Sequence, residues 1–310
     1  MRVLVLGAAG FIGSHLAAAL QAQGGIDELV LADRRPAAAS GRAIVACGDI
    51  RDEDFLARLF AGGYDRIYHL AASLTLDAES DFSAGMAVNL HALMRLLEHC
   101  RLQDRPPQLL FASSISTFGG PLPDIVGDDV AQTPQTSYGT HKAIAELLIS
   151  DYSRRGFLDG RVLRLPVVLT HPGPATGSVS DRIAALIRDP LGGRDAVCPL
   201  APDTRFPVAS VQAVVAAMLA LQRAPASAFG ASRALNLPSL SVTPREIEAA
   251  LRAAGALGKL SWQADAHLQA IIDGWPRGFD SRRARALGLH ADASADELVA
   301  RHLETLHERR

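Results

Sequence analysis

Short unbroken apolar runs alternate with amphipathic stretches through the first half of the chain. Val3-Leu4-Val5-Leu6, Leu29-Val30-Leu31-Ala32, Ala43–Ala46, Tyr68-His69-Leu70 and the run opening at Phe111 read as buried strands; Ser14–Gln23, Ser83–Cys100 and Tyr138–Ser153 read as helices. The alternation continues to a sixth strand ending at Leu165-Pro166, which predicts an α/β fold with a doubly wound parallel sheet over residues 1–165. The pattern then breaks at His171-Pro172-Gly173-Pro174-Ala175-Thr176-Gly177, a Pro- and Gly-rich loop, and residues 166–310 are expected to form a smaller substrate-binding lobe. Within it Asp181–Arg188 and Ser210–Gln222 read as helices. Leu235-Asn236-Leu237 reads as a strand returning to the sheet, so the chain is expected to cross back around 207–237. Thr243-Pro244-Arg245-Glu246 has the composition of a helix start: a capping hydroxyl, a proline at the first position and a glutamate that reaches back.

The first strand runs directly into Gly7-Ala8-Ala9-Gly10-Phe11-Ile12-Gly13. A strand that turns sharply into a helix through positions without side chains brings backbone N–H groups close to an anion at the helix N-terminus, as a dinucleotide pyrophosphate requires. Asp33 closes the second strand. A carboxylate there accepts hydrogen bonds from both ribose hydroxyls of an adenosine and repels a 2′-phosphate, which favours NAD over NADP. Arg34 and Arg35 follow it and are the residues that would instead accept that phosphate.

Candidate chemistry sits in Ser114, Tyr138 and Lys142. The fifth strand runs out into Ser113-Ser114-Ile115-Ser116, at the sheet end where open α/β folds bind ligands. Tyr138 and Lys142 are one turn apart on a helix and share a face. A phenol with a pKa of ~10 is a poor base at neutral pH unless a neighbouring cation favours the phenolate. On this reading Ser114 positions a substrate hydroxyl, Tyr138 takes its proton, and Lys142 supports Tyr138 and holds the nicotinamide ribose.

The glycine spacing followed by Ser and Tyr-x-x-x-Lys resembles the extended branch of the short-chain dehydrogenase/reductase superfamily, the NAD-dependent epimerase/dehydratase family, with its Rossmann-type fold. The resemblance implies that Asp49-Ile50 contacts the adenine and that Leu70-Ala71-Ala72 forms a small-residue turn under the cofactor. It also implies that Asn89 has a structural role beside the active site, and that Phe11, Ile12 and Pro166 complete the cofactor contacts. Gly119-Gly120-Pro121-Leu122-Pro123-Asp124, Thr133–Thr140, Ile187–Gly193, Pro202-Asp203-Thr204-Arg205, Leu235–Thr243 and Gly274-Trp275-Pro276-Arg277-Gly278-Phe279-Asp280 narrow it to the D-erythronate dehydrogenase group of that branch. That group oxidises the 2-hydroxyl of a four-carbon sugar acid with NAD. The chain departs from the group's polar pocket at Ser73-Leu74-Thr75-Leu76 and Thr170-His171-Pro172-Gly173, where Leu74 and Leu76 would admit a less polar alcohol. The substrate candidates are Thr75, Ser114, Ser116, Tyr138, His171 and Arg205. Arg205 is either a clamp for a substrate carboxylate or a surface arginine paired with Asp203.

The 310 residues are 48% apolar with a net charge of −2, enough for a buried core and without a basic stripe for nucleic acid or a polybasic membrane patch. Cys47, Cys100 and Cys198 are too far apart in sequence for a Cys-x-x-Cys site, and His91 and His99, two turns apart, read as a solvated face, so no metal is expected. The first strand begins at residue 2 and no apolar run reaches a membrane span, so that, together with the sparse cysteines, a cytoplasmic protein is expected. The family resemblance implies a homodimer through the helices 83–100 and 138–153. The expected activity is NAD-dependent oxidation of a small sugar acid. The alternatives are a nucleotide-sugar epimerase, a dehydrogenase of a less polar secondary alcohol, and a non-catalytic NAD-sensing protein.

Overall fold

The computed structural model describes residues 1–41, 43–169 and 178–307. In chain order the elements begin β1 (Arg2–Leu6), α1 (Phe11–Gln21), β2 (Glu28–Asp33), β3 (Ile44–Cys47), α2 (Glu53–Phe60), β4 (Arg66–His69), α3 (Thr75–Ser80), α4 (Phe82–Met86), α5 (Ala92–Arg101) and β5 (Gln108–Ser114). They continue with α6 (Ser137–Arg154), β6 (Asp159–Leu165), β7 (Val167–Leu169), α7 (Val179–Leu191), β8 (Ala196–Cys198), β9 (Phe206–Ser210), α8 (Val211–Arg223), β10 (Ala234–Asn236) and β11 (Leu240–Val242). The last are α9 (Pro244–Ala253), β12 (Leu260–Trp262), α10 (Ala266–Asp273), α11 (Arg282–Ala286) and α12 (Ala295–His307).

The main sheet has seven strands in the order β10-β6-β5-β4-β1-β2-β3. The pairings from β3 through β2, β1 and β4 to β5 are parallel. This is the Rossmann-type architecture expected from the alternating pattern. The order reverses direction between β1 and β4, so the loops leaving these two strands open a crevice at the carboxyl edge. Register places Leu6 beside His69 and His69 beside Phe111 at that edge. On one face Leu4, Leu6, Ile67, Leu109 and Phe111 pack with Leu56 of α2, Leu93 and Leu97 of α5 and Ala145 and Ile149 of α6. Alternation along β1 sends the equally buried Val3 and Val5 to the other face. The returning strand is present as β10, which extends the sheet beyond β6.

The chain divides into two compact units. The first comprises Met1–Ser114, Thr136–Arg164 and Met218–Leu235; the second comprises Ile115–Gln135, Leu165–Ala217 and Asn236–Arg310. The second unit therefore claims Ile115–Gln135, ahead of the expected boundary at 165. It holds a three-stranded sheet, β11-β9-β7, and a two-stranded one, β12-β8. The anticipated helix start at Thr243 forms in full: its side chain accepts from the Glu246 N–H, and the Glu246 carboxylate accepts from the Thr243 N–H at 2.7 Å.

Three local expectations change. Helix α1 begins at Phe11 instead of Ser14, because the glycine turn itself closes the first helical ring, with the Ser14 N–H donating to the Gly10 carbonyl at 2.9 Å. The helix expected over 83–100 is interrupted by a π-helical turn, Ala87–His91, between α4 and α5. The apolar Ala43–Ala46 run does form a strand, but at the sheet edge, where Ile44 and Val45 remain exposed.

Thr243→Ala is expected to lower the unfolding free energy by about 1 kcal/mol, the usual worth of a capping hydroxyl, as read from urea unfolding curves.

Candidate active site

The loop after β1 is shaped by close approaches of backbone to backbone. Gly7 has φ of 85°, and a Cβ there would stand 2.7 Å from the Ala71 nitrogen; a Cβ on Gly13 would stand 2.1 Å from the Gly7 carbonyl oxygen. A side chain at either position would push α1 away from β1 or the Leu70-Ala71 turn away from Gly7. Gly10 is the N-cap of α1; no side chain caps this helix and no carboxylate stands in its first turn. The positive end of α1 is thus left for an anion. Beside it Asp33 is held at the end of β2, one carboxylate oxygen accepting from the Ala9 N–H and the other from the Arg35 N–H, both at 3.1 Å. The Arg35 guanidinium bends back to the Ala9 carbonyl at 3.3 Å. Asp49 is occupied by Arg51, whose guanidinium donates to it at 2.7 Å and holds its carboxyl below the usual carboxylate range, and Ile50 is half-buried next to it.

The structure brings Ser114, Tyr138 and Lys142 together. Thr136 caps α6 by accepting from the Gly139 N–H, and this fixes where the helix starts and therefore which residues face β5. Tyr138 is buried and its hydroxyl is hydrogen-bonded to Ser114. Burial pushes the phenol up to about 12, while the Ser114 hydrogen bond pulls the other way. One turn on, the Lys142 ammonium donates to the Ala112 carbonyl at 2.7 Å and lies 4.3 Å from the Phe111 ring centroid and 5.5 Å from that of Tyr138. Lys142 is only 3% exposed. Burial pulls its pKa down to about 7, and the charge of Glu146 opposes that fall. One turn further, Glu146 accepts from the Ser113 hydroxyl and forms a buried bidentate pair with Arg164 of β6 at 2.8 Å.

Two features here were not singled out from sequence: the unpartnered state of His69 and the buried Glu146–Arg164 pair. His69, at the end of β4, is buried edge-on to Phe111, and neither ring nitrogen has a hydrogen-bond partner. Burial, with the nearby Lys142 charge, pulls its pKa down to about 3 and keeps the ring neutral. Asn89, in the π-helical turn, accepts from the Ser73 N–H and donates to the Ser73 carbonyl, both at 2.9 Å. This pair of hydrogen bonds fixes the amide orientation, so its remaining donor meets Nδ1 of the buried His141, at 3.3 Å, as an acceptor. Asn89 thus clamps the loop that leaves β4. The signals were present as periodicity and as charge out of place. Glu146 continues the Tyr138-Lys142 stripe, and Arg164 is a charge between the buried Leu163 and Leu165 of β6.

Thr75 is buried in the first turn of α3, a helix not anticipated, while its neighbour Leu74 is exposed. Leu70, Ala71 and Ala72 are half-buried in the turn against Gly7. Ser116 (in the 3-10 turn Ile115–Thr117), Pro166 and Arg205 belong to the second unit. There Ser116 and Pro166 are buried, and Arg205 is exposed. The pairing of Arg205 with Asp203 does not form: Asp203 binds Arg245 at 2.9 Å, while Arg205 donates to the Ser241 carbonyl at 3.1 Å and to Glu246 at 3.4 Å. His171 and the whole Thr170–Gly173 segment lie outside the described residues.

A parallel sheet whose first strand feeds a glycine turn, with Asp at the tip of the second strand, defines an NAD-dependent oxidoreductase. Residues 3–235 match the NAD dependent epimerase/dehydratase family, and the chain belongs to that family. It is 41% identical to the D-erythronate dehydrogenase of Cupriavidus necator over 98% of both chains. It is 35% identical to that of Haemophilus influenzae over 98% of this chain and 99% of the other. Among solved structures it resembles a nucleoside-diphosphate-sugar epimerase from Agrobacterium tumefaciens, with a TM-score of 0.92 and 34% identity over 98% of this chain and 94% of that one. Its cofactor is NAD(H). The uncapped end of α1, the glycines that a Cβ would obstruct and the anchored Asp33 fit that group.

Because His69 is neutral when folded and protonates once unfolded, stability is fully present above pH about 6.5 and is lost as pH falls towards about 3. That linkage contributes at most about 1.4 kcal/mol per pH unit. His69→Phe is expected to flatten the dependence of unfolding free energy on pH between 6 and 4 by about that slope, measured by denaturant titration at each pH.

Proposed function

We propose that this chain oxidises the 2-hydroxyl of a small sugar acid of the D-erythronate type to the 2-oxo acid. Its identity to two proteins named D-erythronate dehydrogenase over almost their full length supports this reading. The observation that carries the chemistry is the Tyr138 hydroxyl hydrogen-bonded to Ser114 above the buried Lys142. The uncapped end of α1 and the anchored Asp33 would hold NAD⁺, which when bound would supply the hydride acceptor. Ser114 donates a hydrogen bond to the substrate oxygen and orients it towards Tyr138, which takes the hydroxyl proton as the carbonyl forms. Lys142, as the ammonium, supplies the positive charge that makes the phenolate accessible from a phenol that burial pushes up to about 12 against the opposing Ser114 hydrogen bond. Arg205 uses two of its N–H donors on Ser241 and Glu246 and has others left for a substrate carboxylate. Asp33 sets the preference for NAD over NADP.

A second reading, a nucleotide-sugar epimerase, is supported by the likeness to the Agrobacterium structure. An epimerase returns the hydride to its substrate, whereas a dehydrogenase accumulates NADH. The exposed Leu74 at the edge of the β4 loop supports a third, a dehydrogenase of a less polar alcohol. The three free cysteines, of which Cys47 is exposed, accord with a reducing cytoplasm. No helix among the described residues is long and apolar enough to cross a membrane. We also infer a homodimer through α4, α5 and α6, since Phe82, Met94, Ile144 and Leu147 put apolar side chains into solvent on these helices.

With D-erythronate the chain is expected to accumulate stoichiometric NADH, and Tyr138→Phe to reduce the rate by about 100-fold or more while NAD binding persists. NADH absorbance and NAD titration read the two. Arg205→Ala should raise KM for the acid far more than for an uncharged alcohol of similar shape; equal effects would reject the carboxylate clamp.

Light scattering is expected to give twice the chain mass, and Leu147→Arg, placing a charge on the 68%-exposed leucine, should shift the mass towards the monomer.

A further inference from the structure

Lys142 poses a problem that the Ser114–Tyr138 arrangement does not solve. An ammonium that is 3% exposed and has a single hydrogen-bond acceptor, the Ala112 carbonyl, is far short of the solvation it loses. The groups packed around it are unequal. His69 of β4 is neutral and unpartnered, the Phe111 ring of β5 offers its face, and Tyr138 on its own helix is a phenol. His141, the preceding residue, has its Nδ1 turned to Asn89. The buried negative charge on its own helix is Glu146, one turn on, as buried as the lysine and tied to the buried Arg164 and to the Ser113 hydroxyl, whereas Asp151 of the same helix is exposed and paired with Arg154. Ser113 is the residue next to Ser114, so the same strand end holds the Glu146 carboxylate and the Tyr138 hydroxyl.

We propose that Glu146 is the counter-charge that keeps Lys142 an ammonium inside the protein, and that Arg164 limits how much of that charge Lys142 feels. Both are positioning residues for the reaction, acting on Tyr138 through Lys142; this last step rests on the Tyr138 reading above. The direction follows from geometry. Removing the Glu146 charge takes the negative charge away and leaves the Arg164 cation near Lys142, which disfavours its protonation. Removing the Arg164 charge takes the competing cation away and leaves the Glu146 carboxylate, which favours it. A buried pair with a purely structural role would lose stability in both variants and would move Lys142 in neither.

The sequence makes the test direct, because Lys142 and Lys259 are the only lysines of the chain. In the full chain labelled with ¹³C-lysine, the NMR signal of the Lys142 Cε reports its protonation as pH is changed, and the exposed Lys259 serves as internal control. Relative to wild type, Lys142 is expected to titrate at a pH lower by roughly one unit or more in Glu146→Gln and higher by a similar amount in Arg164→Met. The double variant Glu146→Gln/Arg164→Met removes both members of the buried Glu146–Arg164 pair together, so it serves if either single variant fails to fold. In it Lys142 titrates below wild type and above Glu146→Gln, because Glu146 is the nearer partner along the helix. Lys142 titrating at the same pH in wild type and double variant would overturn the proposal. If the NMR midpoints move in this order and the acid limb of the oxidation rate moves with them, the route to Tyr138 holds as well. If the midpoints move and the rate profile does not, the counter-charge stands and the role given to Lys142 in the reaction fails.

Discussion

Placing an amine beneath a phenol in the interior of the first unit constrains much of what surrounds it. Lys142 reaches the Ala112 carbonyl only if α6 lies against β5 in one register, and that register also drives Ala145 and Ile149 into the core and brings Tyr138 to Ser114. The helix start is set by Thr136 and its far turns by packing, so the tyrosine has little freedom to slide along the strand. Stability and site geometry therefore draw on the same contacts. Tyr138, Lys142 and Glu146 follow one another at intervals of one turn on this face of α6, a phenol, an amine and a carboxylate, all buried. A substitution that moved the helix by one residue would remove all three from β5 together.

Much of this arrangement is written in local pattern. Strand and helix periodicity located the seven-stranded sheet, the returning strand at Leu235 and the capping box at Thr243, because each depends on side chains close in sequence. The glycine turn was legible for a related reason. Gly7 and Gly13 are required by backbone approaches that form whether or not a ligand is bound. What could not be read lies in contacts between distant segments. Arg205 meets Glu246 instead of its sequence neighbour Asp203, which is taken by Arg245, and nothing in the spacing of these four residues decides the exchange. The isolation of His69 was hidden too, since an imidazole in a strand reads the same whether its nitrogens find partners or not.

The turn around Asn89 shows how a small departure from regular helix geometry serves a loop far away in sequence. An α-helical continuation from α4 into α5 would keep the hydrophobic stripe intact, and the amphipathic pattern predicts just that. The chain instead widens for one turn, and the amide inside it satisfies both backbone groups of Ser73. The loop leaving β4 thus gains the pairing that a neighbouring strand would otherwise supply.

This wide turn also has a reading in terms of chain length. A π-turn is an α-helix carrying one residue more than its pitch accommodates, so deleting a residue anywhere from Ala87 to His91 would leave a helix with better hydrogen bonds. Because the wide turn absorbs its extra residue without turning α4 against α5, that deletion would keep the core face of α5 on the sheet. What it would remove is the widened backbone that carries the Asn89 amide to both backbone groups of Ser73. The less regular helix is thus retained by the loop it holds.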